Sequence, residues 1–119
     1  MTPTTLVIGG HAAAREAAIA AALDPALHTV ILLEGLPDGR SALQAQAESA
    51  RIEIVRIAAG CPCCIGNLTL RVTLNRILRR PPQRLYIGLA GTAHLDPLRQ
   101  FLHAPPYDSL LQLNQDLAL

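Results

Sequence analysis

At 119 residues, half of them apolar, the chain is long enough for one hydrophobic core and too short for two. Its formal net charge of +1 supplies no field for nucleic acid or an anionic membrane as partner. No stretch has the apolar length of a membrane span or the pattern of a signal peptide. Aromatic residues are limited to Tyr86, Phe101 and Tyr107, so the core must be aliphatic, as in parallel sheets covered on both faces.

The chain alternates between two kinds of segment. Thr5 to Ile8 is a short apolar run ending at Gly9-Gly10 and predicts a buried strand. His11 to Leu23 is alanine-rich, with apolar positions at helical spacing, and Asp24-Pro25 stops it. Thr29 to Leu33 predicts the second strand, closed by Glu34-Gly35. After the turn at Pro37-Asp38-Gly39, a serine-capped helix is expected over Ser41 to Ala50.

Ile52 to Ala58 predicts the third strand. A helix capped by Asn67 and running to Arg80 follows, ended by Pro81-Pro82. Arg84 to Leu89 predicts the fourth strand, and Asp96-Pro97 reads as N-cap and first residue of a helix to about His103. In the tail, Leu110 to Leu113 fits an edge strand or a helix start. Strand–helix alternation at this spacing predicts a three-layer α/β domain over residues 1–119, with a mainly parallel sheet of four or five strands.

Between the third strand and the next helix lie Gly60-Cys61-Pro62-Cys63-Cys64-Ile65-Gly66, which hold every cysteine of the chain. Three thiols within four positions serve a metal or a redox step more readily than packing. A helix start favours thiolate over thiol, and thiolates select zinc and other soft or borderline ions such as cobalt or copper. Three of them leave one tetrahedral position for Glu34, His11, His94 or a partner chain. These candidates, with Thr92, all follow carboxyl ends of predicted strands, where ligands of open α/β sheets bind. Cys61 and Cys64 also form a C-x-x-C pair, which leaves a thiol-redox function open. An odd cysteine count in one loop is no disulfide framework, and a cytoplasmic location is expected.

Gly60-Cys61-Pro62-Cys63-Cys64 resembles the G-C-x-C-C metal motif of the CobW-type P-loop GTPases, relatives of the UreG and HypB accessory proteins. Glu34-Gly35 resembles the acidic segment after that family's second strand. Arg84 to Ile87, then Gly91 and Asp96-Pro97, resemble its fourth strand and the loop beyond. The resemblance covers nearly the whole chain but only about the first half of a family GTPase domain. It implies a P-loop NTPase-like fold and the handling of a transition metal, zinc first.

The nucleotide motif is eroded. A P-loop uses glycine amides around phosphate, a lysine on the β- and γ-phosphates and a hydroxyl on magnesium. In Gly9-Gly10-His11-Ala12-Ala13-Ala14-Arg15-Glu16 only Gly9 survives. Arg15 stands for the lysine and Glu16 for the hydroxyl, and the chain has no lysine at all. Gly88 stands where the resemblance places a catalytic-loop glutamate. Competent GTP hydrolysis is therefore not expected, and GTP is not expected as a cofactor, although Gly9 and Arg15 could still hold an anion. A homodimer or a client metalloprotein is the expected partner besides the metal. The alternative is a non-catalytic pseudo-GTPase that docks a partner through its ancestral surface.

Overall fold

The computed structural model describes residues 1–35, 43, 51–57, 65–91 and 95–119, with 65–68 as backbone only. Its strands are β1 (Thr2–Ile8), β2 (Thr29–Glu34), β3 (Ile52–Ile57), β4 (Arg84–Gly88), β5 (Leu111–Leu113) and β6 (Leu117–Ala118). The helices are α1 (Ala12–Ala22), α2 (Ile65–Ile77), α3 (Leu95–His103) and the single turn α4 (Tyr107–Leu110). The expected helix over Ser41 to Ala50 falls outside the described residues, Leu43 excepted.

The sheet runs in the order β3-β2-β4-β1-β5, and β6 continues β5's side along β1. Every pairing is parallel: Thr4 opposes Leu85, Ile31 opposes Tyr86 and Ile54, and Thr2 opposes Leu111. Alternation along the strands sends side chains to two separate cores. On one face Leu6, Val30, Leu32, Leu85 and Ile87 pack against Leu70, Leu74 and Ile77 of α2, Leu98 and Leu102 of α3, and Tyr107. On the other, Val7, Ile31, Leu33 and Tyr86 pack against Ile19 of α1 and against Leu43. The fold is the expected three-layer α/β arrangement and is compatible with a P-loop-type architecture.

Several boundaries differ from those read in the sequence. β1 starts at Thr2, because Thr2 and Thr4 are buried between β4 and β5 with their hydroxyls on carbonyls: Thr2 Oγ1 donates to Pro82 O, and Thr4 Oγ1 to Thr2 O, both at 3.1 Å. α2 begins at Ile65, so Asn67 lies inside the helix rather than capping it. Likewise α3 begins at Leu95, which puts Asp96 in the first turn, where its charge still complements the helix dipole. In the tail the edge strand is the alternative the structure takes, from Leu111, and no helix starts there: a helical turn instead ends at Leu110.

The faces taken by the connections locate the crevice. Chain leaving β1 enters α1 on one face, whereas chain leaving the adjacent β4 enters α3 on the other. Neighbouring strands whose connections part to opposite faces open a cleft at their carboxyl ends. Here that cleft lies beyond Ile8 and Gly88.

Candidate functional site

At the mouth of the cleft, β1 turns into α1 through Gly9 (φ +83°) and Gly10 (φ +60°), a left-handed pair that glycine adopts without steric cost. His11 follows in extended conformation as the N-cap of α1, and its Nδ1 accepts the Ala14 N–H at 3.2 Å. Histidine thereby does the work of the short polar side chains that usually cap helices. Its Nδ1 lone pair being used, the neutral ring carries its proton on Nε2. A metal on His11 would have to displace either the cap or that proton.

Arg15 lies on the next turn of α1 and is only 7 % exposed. Its guanidinium folds back over the glycine turn: Nη1 donates to Gly10 O at 2.7 Å and to Gly9 O at 3.2 Å. The arginine at the lysine position thus binds the turn's own carbonyls.

Glu16 is 3 % exposed, and its Oε1 accepts a hydrogen bond from Arg56 Nη2 at 2.8 Å. Arg56 is the penultimate residue of β3 and shares the α1-facing side of that strand with Ile52 and Ile54. A carboxylate this buried requires a charged partner, and β3 supplies it. The Glu16–Arg56 pair joins the first turns of α1 to the end of β3 across the sheet.

Glu34 closes β2. Its Oε1 accepts the Ala90 N–H at 3.1 Å, so β2's end is fastened to the chain leaving β4. Gly35 (φ +99°) donates its N–H to Ile57 O at 2.8 Å, which fastens it to β3 as well. Arg15, Glu16, Glu34 and Arg56 line a small cavity with Ala12, Leu33 and Gly88, with space of about 10 Å³, roughly one water. Gly88 leaves room there for Leu33, whose Cδ2 would sit 2.8 Å from a Cβ at position 88.

The structure therefore brings four of the residues picked out by motif, Gly9, Arg15, Glu34 and Gly88, to one end of the sheet, with His11 beside them. Cys61, Cys63, Cys64, Thr92 and His94 lie outside the described residues. Among the described residues no three His, Cys, Asp or Glu converge as a metal site. Arg56 is the participant the sequence analysis missed. Its signal was an arginine at an inward position of the apolar run Ile52-Glu53-Ile54-Val55-Arg56-Ile57.

Among known proteins, the chain is 36 % identical over 64 residues to the zinc chaperone YeiR of Escherichia coli (strain K12). That stretch is 53 % of this chain and 20 % of the relative, so the chain spans about a fifth of the relative's length. No family model matches the chain, and no solved structure matches it. Among the described residues no helix is long and apolar enough to cross a membrane.

Proposed function

We propose that residues 1–119 form a CobW-like domain that handles a transition metal, zinc first, through Cys61, Cys63 and Cys64, without competent GTP hydrolysis. The observation that carries the reading is the likeness to a zinc chaperone in a chain whose three cysteines all lie within four positions. Zinc is the cargo rather than a catalyst: three thiolates satisfy three tetrahedral positions and leave the fourth for exchange with a recipient. Cobalt and copper share the preference for sulfur. Glu34 offers its second carboxylate oxygen for the fourth position at no cost to the Ala90 bond, which makes it a better candidate than His11, whose Nδ1 is committed to the cap. The recipient would be a client metalloprotein or a second copy of this chain, in the reducing cytoplasm.

The nucleotide side of the reading rests on Arg15 and Glu16. Phosphoryl transfer needs positive charge on the phosphates and a bound magnesium. Arg15 turns its Nη1 donors onto the Gly9 and Gly10 carbonyls, and a buried carboxylate stands where a hydroxyl should meet the metal. The test is metal content per chain by mass spectrometry after purification under reducing conditions, with free thiols counted in parallel. One zinc per chain, with thiols protected until chelation and uptake lost in Cys63→Ser, is expected. Three freely reactive thiols and no metal after reconstitution would overturn it, in favour of a Cys61–Cys64 redox pair or a non-catalytic docking module.

A further inference from the structure

The α1 side of the sheet is finished unevenly. Strands of a parallel sheet covered on both faces read as continuous apolar runs, and β2 is buried from Thr29 to Leu33 accordingly. β1 departs from this: its Val7 packs with Ile19 of α1, but Pro3 and Thr5 on the same face are only half-buried. Parallel register lays Thr5 beside Tyr86 and Pro3 beside Gln112, so β4, β1 and β5 build one continuous floor. That floor belongs to an open groove of about 350 Å³, within the size range of small-molecule sites. Arg84 and Asn114, both exposed, complete its lining. The groove lies toward the amino ends of β1 and β4, away from the Gly9–Gly10 turn at the other end of the sheet.

Its chemistry is one-sided. Arg84 belongs to neither ion pair of the described residues, Glu16–Arg56 and Arg99–Asp116, and among those residues no carboxylate lines the groove. Thr5, Gln112 and Asn114 add a hydroxyl and two amides that bond no other described side chain. Tyr86 spends its hydroxyl on Ala22 O at 3.5 Å. By contrast Thr2 and Thr4, on the opposite face of β1, are buried with their hydroxyls on carbonyls. A covering helix would ask for apolar contacts, and this floor offers a guanidinium, two amides and a hydroxyl instead. We propose that the groove is a second ligand site, which takes a small polar molecule bearing one oxyanion, a carboxylate or a phosphate ester, against Arg84. The guanidinium forks onto the oxyanion, while Thr5, Gln112 and Asn114 hydrogen-bond the molecule's polar body beside the Tyr86 ring. Strand register holds these residues in place before the ligand arrives. The site is independent of the metal reading of the cysteines.

The test titrates gluconate, glycerol 3-phosphate and the uncharged sorbitol into the nitrogen-labelled full chain, with amide chemical shifts as the readout. At least one of the two oxyanions should give saturable shifts centred on Thr5, Tyr86, Gln112 and Asn114, with a Kd of about 1 mM or tighter, and sorbitol none. Saturation by gluconate alone assigns a carboxylate ligand, by glycerol 3-phosphate alone a phosphate ester, and by both the oxyanion they share. Arg84→Gln, at an exposed position, should weaken binding by about tenfold or more, as the loss of a hydrogen bond to a charged group does. Thr5→Val, which keeps the branched shape and removes the hydroxyl, should weaken it about fivefold, and stands in should Arg84→Gln not fold. Shifts that fail to saturate with both oxyanions overturn the inference, as does an equal response to sorbitol. Shifts spread over the exposed Arg71, Arg76, Arg79 and Arg80 instead of the groove, or an unchanged Kd in Arg84→Gln, overturn it too.

Discussion

Alanine at Gly91, Gly10 and Gly9 in turn grades what the cleft asks of its backbone. At Gly91 a Cβ would meet no atom within 4 Å and φ is ordinary, so the change should stay within about 0.5 kcal/mol. At Gly10 (φ +60°) the nearest atoms, Ala14 Cβ at 3.4 Å and Leu119 Cβ at 3.5 Å, are ordinary contacts. Only the left-handed backbone is then opposed, at about 1 kcal/mol. At Gly9 (φ +83°) the same backbone term recurs, and the Cβ would also stand 2.6 Å from Leu119 O. Leu119 N, held by its bond to Ile8 O at 2.9 Å, would also lie 3.3 Å from that Cβ, so the crowding includes anchored backbone. Overpacking against fixed backbone adds about 2 kcal/mol, for a total of about 3. Unfolding entropy near 2.1 cal/mol/K per residue gives about 0.25 kcal/mol/K for this chain, so Tm should fall by about 12 K for Gly9→Ala and about 4 K for Gly10→Ala. Thermal melts followed by circular dichroism read all three. If Gly9→Ala and Gly10→Ala melt within about 4 K of each other, the close passage of Leu119 is not what demands glycine at position 9.

Other consequences lie further from the cleft. Leu74 is fully buried at the centre of the α2 face, so Leu74→Ala should cost about 3 kcal/mol in urea titrations, and a loss below about 1 would mean that the α2 layer is loosely packed. Tyr107 donates its hydroxyl to Asn75 Oδ1 at 2.7 Å, and burial, partly opposed by Arg71, raises its pKa above 10.0. The unfolded chain therefore ionises first, and this residue's contribution, complete below pH 10, is lost as pH climbs toward the folded value. Tyr107→Phe should flatten the alkaline fall in stability; an identical fall in both proteins would refute the assignment.

β1 and β2 were legible because each carries an apolar, β-branched run ended by glycine or a charged residue, as in Val30 to Leu33 before Glu34-Gly35, whereas the two-residue β6 carries no such signal and was not legible. Helix starts were less so. Asn67 and Asp96 are good caps by chemistry, but tertiary packing carries both helices past them, to Ile65 and Leu95. The tail was ambiguous because Leu110 to Leu113 is one apolar run serving two elements in succession. At the cleft, motif comparison found Arg15 and Glu16 as departures, but their partners are contacts in space. Nothing in the spacing of Glu16 and Arg56 announces a pair that strand order alone brings together.

The position of β1 also bears on how the chain is made. Its lateral partners are β4 on one side and β5 and β6 on the other, so the earliest of the described strands is enclosed only by later ones. Until residues 84–88 emerge, β1 has no neighbour; until 111–118 emerge, one of its edges stays bare. Native pairings this distant in sequence slow folding and prolong the exposure of unpaired strand edges. β1 therefore stays unpaired until β4 follows it in the chain, and that interval, rather than the finished fold, is when its edges are open to wrong pairing.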